Sequence, residues 1–432
     1  MLVMGGIIGA GIFVNPSVVA RTVTSPALIL LAWLLGGLIA LAGAFVYAEL
    51  AVWRPQVGGV YVYLRDAYHP IVAFLYGWTL LLVVQTGGMA AVAMTFAFYV
   101  RELGGSALPA SALAVATLGI LTVINCFGAR AGSTVQSTLM VIKIAAILGL
   151  VTLGWLAVGD ASDAGVASGA AATDTTAAAA AVERTSLVAF GAAMVPVLFA
   201  YGGWQTASFV SGEMRAPERD LPRGLVLGVA GVVVLYLAVN AVSLVVLGAD
   251  GLAATSTPAS EVMRRALGPM GARLIAAGIA ISTVGFLSQS VLTAPRVYFA
   301  MARDGLFFRA VGRVHPVTHA PVIAILLQGT WAAVIALSGR YEQILNYVVA
   351  IDALFFGLTG AALLIFRRRE RRGLASRVAA GARMPGHPVT TAIFTITFLL
   401  LALNTVAQFP RSAGIGVLML AAGVPVFLWW RR

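Results

Sequence analysis

The sequence predicts an all-α polytopic membrane protein of about twelve transmembrane helices. Three observations carry that class. Hydrophobic residues make up 60% of the 432 and charged residues only 10%, with a mean hydropathy of +0.96, a balance foreign to soluble domains. The apolar runs are long and continuous, as helices require, and lack the alternation of membrane barrel strands. The cationic residues also gather in alternate loops, as they do when successive segments cross a bilayer.

Taken in order, the spans fall at 2–20, 26–52, 70–100, 108–126, 135–158, 186–212, 223–248, 269–301, 321–338, 342–366, 388–408 and 412–430. With the N-terminus inside, the inner loops hold 18 of the 28 lysines and arginines and the outer loops 8, while Arg296 and Lys143 fall within spans. The net charge of +12 is therefore a topology signal and argues against a nucleic-acid partner. Both termini are expected on the cytoplasmic side of an inner, cytoplasmic membrane. The cluster between Arg367 and Arg372 reads as an anchor to the inner leaflet. One cysteine, Cys126, excludes an intrachain disulfide and a cysteine-built zinc site. No basic region precedes the first apolar stretch, so no cleavable signal peptide is read there, and there is room for a short cytosolic segment ahead of Met1. Asp160 to Arg184, rich in Ala, Thr, Gly and Ser, reads as a low-complexity external loop. The inner stretch Arg54 to Leu64 is too short and glycine-broken to span, and reads as re-entrant or interfacial.

Span one contains Gly5, Gly6, Gly9 and Gly11 within seven positions. Glycine costs a helix interior roughly 1 kcal/mol relative to alanine, so the helix is expected to open there. An opened helix in a bilayer must bury its bare backbone groups in protein or turn them to a polar ligand. Close packing through Gly5-x-x-x-Gly9 is the other reading. Span six repeats the pattern in Phe199-Ala200-Tyr201-Gly202-Gly203-Trp204. Interrupted segments five spans apart point to two inverted repeats, at 1–158 and 186–366, separated by the 159–185 loop and followed by 367–432. They also favour binding over packing. A helix resuming after a break offers free N–H groups and a positive dipole end to a carboxylate, and a helix ending at one offers carbonyls to an ammonium. Such an end contributes roughly 0.3–2 kcal/mol and each charge-assisted hydrogen bond about 1.5–3. Several reach the ~4–8 kcal/mol of a ligand held weakly enough to be released. The expected ligand is a zwitterion, a free amino acid.

Several motifs carry a family resemblance. Gly6-Ile7-Ile8-Gly9-Ala10-Gly11-Ile12-Phe13 with Pro16 resembles the first-helix signature of the amino acid–polyamine–organocation superfamily. Pro55-x-x-Gly58-Gly59-x-Tyr61-x-Tyr63-Leu64-Arg65-Asp66, followed by Phe74-Leu75-Tyr76-Gly77-Trp78, is similar to its inner loop and third span. The Phe199–Trp204 stretch, with Glu213 and Pro217-Glu218-Arg219-Asp220-Leu221-Pro222, resembles the L-type amino acid transporter branch, and Arg296 and Ala302-Arg303-Asp304-Gly305 also fit. The resemblance implies a permease of the leucine-transporter-type fold, ten core helices plus two, with helices one and six discontinuous and an α-amino acid between them. It implies that amides of Gly9, Ala10 and Gly11 bind the carboxylate and that carbonyls of Ile7, Phe199, Ala200 and Gly202 bind the ammonium. The Phe199 ring would act as an outer gate. Ala10 stands where many members have serine, which removes a hydroxyl but not the amide.

Lys143 is the chain's one lysine, and it sits inside span five. A buried charge is costly and usually functional; a lysine snorkelling to the inner face is the alternative. The resemblance gives it the place of the sodium ion of sodium-coupled relatives, coupling helices one and five. Glu49 and Glu213, at inner span ends, read as arginine-paired structural groups, and Asp352 as a weak candidate for proton coupling. His315 and His319 have a ligand-like spacing, but Pro316 and a loop setting argue against a metal. No nucleophilic arrangement or phosphate loop suggests an enzyme, and no cofactor is implied. Sodium-independent exchange or facilitated uptake of neutral amino acids is the first functional reading; a proton-coupled symporter and a non-transporting sensor are the others. The outer loop Arg101–Leu108 lacks the cysteine through which L-type relatives pair with a glycoprotein, so no disulfide-linked ancillary subunit is expected.

Overall fold

Prolines set many of the helix starts. A computed structural model describes residues 2–104, 108–127, 129–163, 187–338, 341–374 and 383–430, with no strand among the described residues. The first helix is interrupted, as α1 (Leu2–Ile7) and α2 (Gly11–Thr22). Next come α3 (Pro26–Trp53) and the short α4 (Val60–Ala67). α5 (Pro70–Thr79) runs through one π turn, Leu80–Val84, into α6 (Gln85–Glu102). α7 (Ala110–Cys126) and α8 (Ala129–Asp163) follow. The second interruption separates α9 (Leu187–Tyr201) from a 3-10 segment, Trp204–Glu213. The remaining helices are α10 (Pro217–Ala254), α11 (Pro258–Thr293), α12 (Pro295–Arg303), α13 (Val322–Ser338), α14 (Tyr341–Arg371), α15 (Val389–Gln408) and α16 (Pro410–Trp430). Pro opens α3, α5, α10, α11 and α12, where its missing N–H costs no hydrogen bond.

Among the described residues, eight helical stretches are long and apolar enough to cross a membrane, and α7 and α13 are shorter apolar helices. Observed ends overrun several predicted ones. The eighth span was expected from 269: α11 opens earlier, at Pro258, but its backbone leaves the helical region at Gly268, where φ is +66°, and a helix resumes at Pro269, where the span was expected to start. Pro269 is thus the first residue of the resumed helix, where its missing N–H costs no hydrogen bond. Most of the expected external loop lies outside the described residues: α8 reaches Asp163, and 164–186 are not described. The same holds for 105–107 of the outer loop and 375–382 of the basic inner stretch.

Small residues let α3 approach its neighbours closely. A Cβ at Gly37 would stand 2.8 Å from Val233 of α10, and one at Gly43 2.6 Å from the Trp204 ring. Trp33, Tyr201 and Tyr236 fill the junction of α3, α9 and α10, with ring centroids 5.1–5.9 Å apart. The segment after α3 is neither spanning nor spread along a surface. It turns through Gly58 and Gly59, at φ +102° and +45°, and buries Tyr61 and Tyr63 on α4. Gly58 N–H donates to Phe209 O (3.0 Å) and Ser211 Oγ to Gln56 O (2.7 Å), docking this turn on the 3-10 segment.

Ion pairs cluster at the same end. Arg54 pairs with Asp66 (2.5 Å), Arg65 with Asp304 (2.6 Å) and Arg296 with Glu213 (2.9 Å). Glu49 is fully buried, pairs with Arg367 (2.5 Å) and accepts the Met384 N–H (2.7 Å), tying α3, α14 and the segment before α15 together. Glu49→Ala leaves a buried guanidinium and an amide without that acceptor, a loss of about 3–5 kcal/mol. A thermal-unfolding scan in detergent is expected to show a clear drop in Tm, against a small change for Glu218→Ala on the exposed first turn of α10.

Candidate binding site at the two helix breaks

Ile8, Gly9 and Ala10 leave the helix between α1 and α2. The glycines here are required by contact as well as by flexibility. A Cβ at Gly6 would lie 2.7 Å from Gly203 O, and one at Gly11 2.8 Å from Ala200 Cα. The two breaks therefore touch each other backbone to backbone.

The carbonyls released by α1 are taken by buried side chains. Lys143 Nζ, on α8, donates to Ile8 O (2.8 Å) and Gly5 O (3.4 Å), and Tyr236 Oη donates to Ile7 O (3.2 Å). Lys143 is 1% exposed, and Gly285 of α11 makes room for it: a Cβ there would stand 2.8 Å from Lys143 Cε. On the other side of the break, the first turn of α2 closes through Phe13 N–H to Ala10 O (3.1 Å). Among the described residues, the Gly9, Ala10 and Gly11 amides ahead of it meet no carbonyl. Asn15 Nδ2 donates to Pro196 O (2.7 Å) and fixes α2 against α9.

The second break behaves differently. Gly203 has φ +103°, and its N–H is capped from within by Gln205 Oε1 (2.9 Å). Gly203 O accepts the Thr206 hydroxyl (2.7 Å), and Gly202 N–H returns to Phe199 O (3.1 Å). The donors of Gly202 and Gly203 are thus spent internally. The free donors lie at the start of α2, and the carbonyl end of α9, with its negative dipole end, lies opposite.

Both ends border one cavity, of about 80 Å³ as room for the centres of water-sized molecules. Ile7, Gly9, Ala10, Gly11, Phe199, Ala200 and Gly202 all line it. Lys143 stands outside that lining, behind α1. Glu49 and Glu213 lie off the cavity among the arginines described above. His315 lies in the turn before α13, where its Nδ1 accepts the Val317 and Thr318 amides (3.3 Å each), and His319 follows in the same turn. Asp352 of α14, whose direction the sequence left open, lines the cavity.

Sequence reasoning missed the walls from α6 and α11: Gln85, Phe286, Gln289 and Ser290. Gln85 follows the π turn, which Thr86 supports by donating from Oγ1 to Leu81 O (2.6 Å). The signal available was the isolated amide side chain in an apolar run, present at both Gln85 and Gln289.

A family model described as amino acid permease matches residues 1–429. The chain is 31% identical over 443 residues to the serine/threonine exchanger SteT of Bacillus subtilis, with all of this chain and 95% of that protein covered. It is 27% identical over 453 residues to the human large neutral amino acids transporter small subunit 2, covering all of this chain and 79% of that one. The mouse Asc-type amino acid transporter 1 is similar at 27% over 440 residues, with all of this chain and 80% of that protein covered.

Gly203→Ala forces a side chain onto Gly6 O at a positive φ. It is expected to abolish solute uptake while the protein still inserts. Gly224→Ala, whose Cβ meets only Val3 at 3.8 Å, is expected to leave uptake unchanged in the same assay.

Proposed function

Because this chain belongs to the amino acid permease family, a family of multi-pass membrane transporters and not enzymes, we propose that it moves small neutral α-amino acids without sodium, as an exchanger or facilitator. The observation that carries this reading is the polarity of the cavity, with unpaired amides of Gly9, Ala10 and Gly11 at one wall and the carbonyl end of α9 at the other. The carboxylate binds at the first and the ammonium at the second, through carbonyls of Phe199, Ala200 and Gly202. Ile7 O, already holding Tyr236, has one lone pair left for the same ammonium.

Serine and threonine, the substrates for which the Bacillus relative is named, are the first candidates. Sodium independence rests on Lys143, whose ammonium holds the carbonyls that the break releases on the side away from the cavity. A fixed cation there supplies the charge that a coupling ion would otherwise bring. The Phe199 ring gates the cavity from outside. Alternating access, twelve crossings, paired repeats at 1–158 and 186–366, and cytoplasmic termini in the cytoplasmic membrane complete the reading. The human relative is named a small subunit; this chain has no cysteine in the outer loop Arg101–Leu108, and functions without a disulfide-linked partner.

Counterflow in proteoliposomes over a radiolabelled amino acid panel tests the reading. Uptake of serine, threonine or alanine is expected, equal in sodium and choline buffers. No flux of any amino acid, or a strict sodium requirement, overturns it. Lys143→Ala removes at least one charge-assisted hydrogen bond of about 1.5–3 kcal/mol, and is expected to cut uptake by at least about tenfold with normal membrane insertion. Retained uptake would remove Lys143 from the mechanism.

A further inference from the structure

The polar side chains on the cavity wall divide into two groups. Three are bonded to α1 or to Gly203: Gln205 caps the Gly203 N–H, Thr206 donates to Gly203 O, and Gln289 donates from Nε2 to Leu2 O (2.8 Å). Gln85 of α6 and Ser290 of α11 are not. They are 8% and 4% exposed, and among the described residues neither the Gln85 side-chain amide nor the Ser290 hydroxyl makes a hydrogen bond. Both lie on the cavity. Thr283 and Thr293, on the same helix as Ser290, return their hydroxyls to Ala280 O and Gln289 O; Ser290 does not turn back in this way. Buried polar groups are normally paired, so two neutral ones left open on one cavity call for a ligand. Asp352, the wall's carboxylate, stands on α14.

Packing brings Gln85 and Ser290 to one side of the cavity. Met89, one turn beyond Gln85, and Ser290 meet the same side chain of α13. Gln328 Nε2 lies 3.1 Å from Met89 Sδ and donates to Ser290 O (3.1 Å). Gln85 begins α6 directly after the π turn, a local irregularity found mostly where a helix serves a site. On α11, Phe286, Gln289 and Ser290 are spaced i, i+3 and i+4 and share one face. That face runs along the first break: a Cβ at Gly9 would stand 3.0 Å from the Phe286 ring, and one at Gly6 2.8 Å from Gln289 Nε2. Phe286 thus closes the wall beside the free amides, and Ser290 stands about one turn, ~5.4 Å, further along it.

The amides and carbonyls of the two breaks account for both charges of a zwitterion and read nothing of its side chain. We propose that Gln85 and Ser290 form the side-chain subsite, and that it selects an amino acid with a hydroxyl on Cβ. The substrate hydroxyl donates to Gln85 Oε1 and accepts from the Ser290 hydroxyl, a pairing both groups can make. An amino acid with a hydrogen or a methyl in that place leaves two buried groups unpaired, so selection comes from rejection as much as from attraction. The inference rests on the transport reading above and names the side chain that the site prefers.

The test measures half-saturation for serine, alanine, threonine and valine by counterflow in proteoliposomes of the full chain. In the wild type, serine is expected to be held at least about tenfold better than alanine, and threonine than valine. Gln85→Leu is expected to bring both ratios near one, through a weaker grip on serine and threonine. Ser290→Ala is expected to lower them in part. A wild type that carries these amino acids with ratios near one leaves the transport reading intact and overturns the subsite. So do ratios that survive in both variants, including a loss in Gln85→Leu that falls equally on all four substrates, the mark of a structural role. Ratios that persist in both variants and collapse in Asp352→Asn assign the hydroxyl to that carboxylate and likewise overturn the proposal. If Gln85→Leu fails to insert, the wild-type ratios and those of Ser290→Ala decide the matter. A wild type that carries no amino acid overturns the transport reading, and this inference with it.

Discussion

The structure depends on one constraint: a helix opened inside a bilayer has no water to pair with its exposed backbone. Each group freed by the breaks must find a partner from the protein or from a ligand. At the first break, Lys143 and Tyr236 take the carbonyls of α1. At the second, Gln205 and Thr206 serve Gly203. What is left over, the amides at the start of α2, is left on the wall of a cavity. Satisfying most of the freed groups, and not all of them, is what gives the cavity between two interrupted helices its polarity.

That pattern explains why some of the site was legible in the sequence. Gly9, Gly11, Gly202 and Gly203 stand out because a local property, the inability to hold a helix, is written at the position itself. Lys143 stands out because a lone cation in an apolar span has few reasons to be there. Gln85 and Gln289 carry a weaker mark, a lone amide side chain in an apolar run, and Phe286 carries none. Their place on the cavity follows from how α6 and α11 pack around the breaks, and in the case of Gln85 from a π turn with no composition of its own.

The helix ends show the same division. Pro26 and Pro70 start helices where spans were expected to begin, whereas α10 starts at Pro217, ahead of the expected 223. Pro269 follows a break, because Gly268, at φ +66°, leaves the helical region just ahead of it. The Arg54–Leu64 segment was legible as non-spanning, yet its burial depends on the 3-10 segment folded over it. The matching of Glu49 with Arg367 and Glu213 with Arg296 likewise needs the fold, since the partners are far apart in the chain.

Lys143 also gives the molecule a chemical identity that sequence counting reveals and burial sharpens. It is the one ε-amine of the chain, closed in behind α1 at 1% exposure. An acylating reagent therefore meets this side chain only while α1 has moved off it. Mass-spectrometric modification of a single lysine becomes a clock for the opening of the first helix, read without a probe or an engineered label.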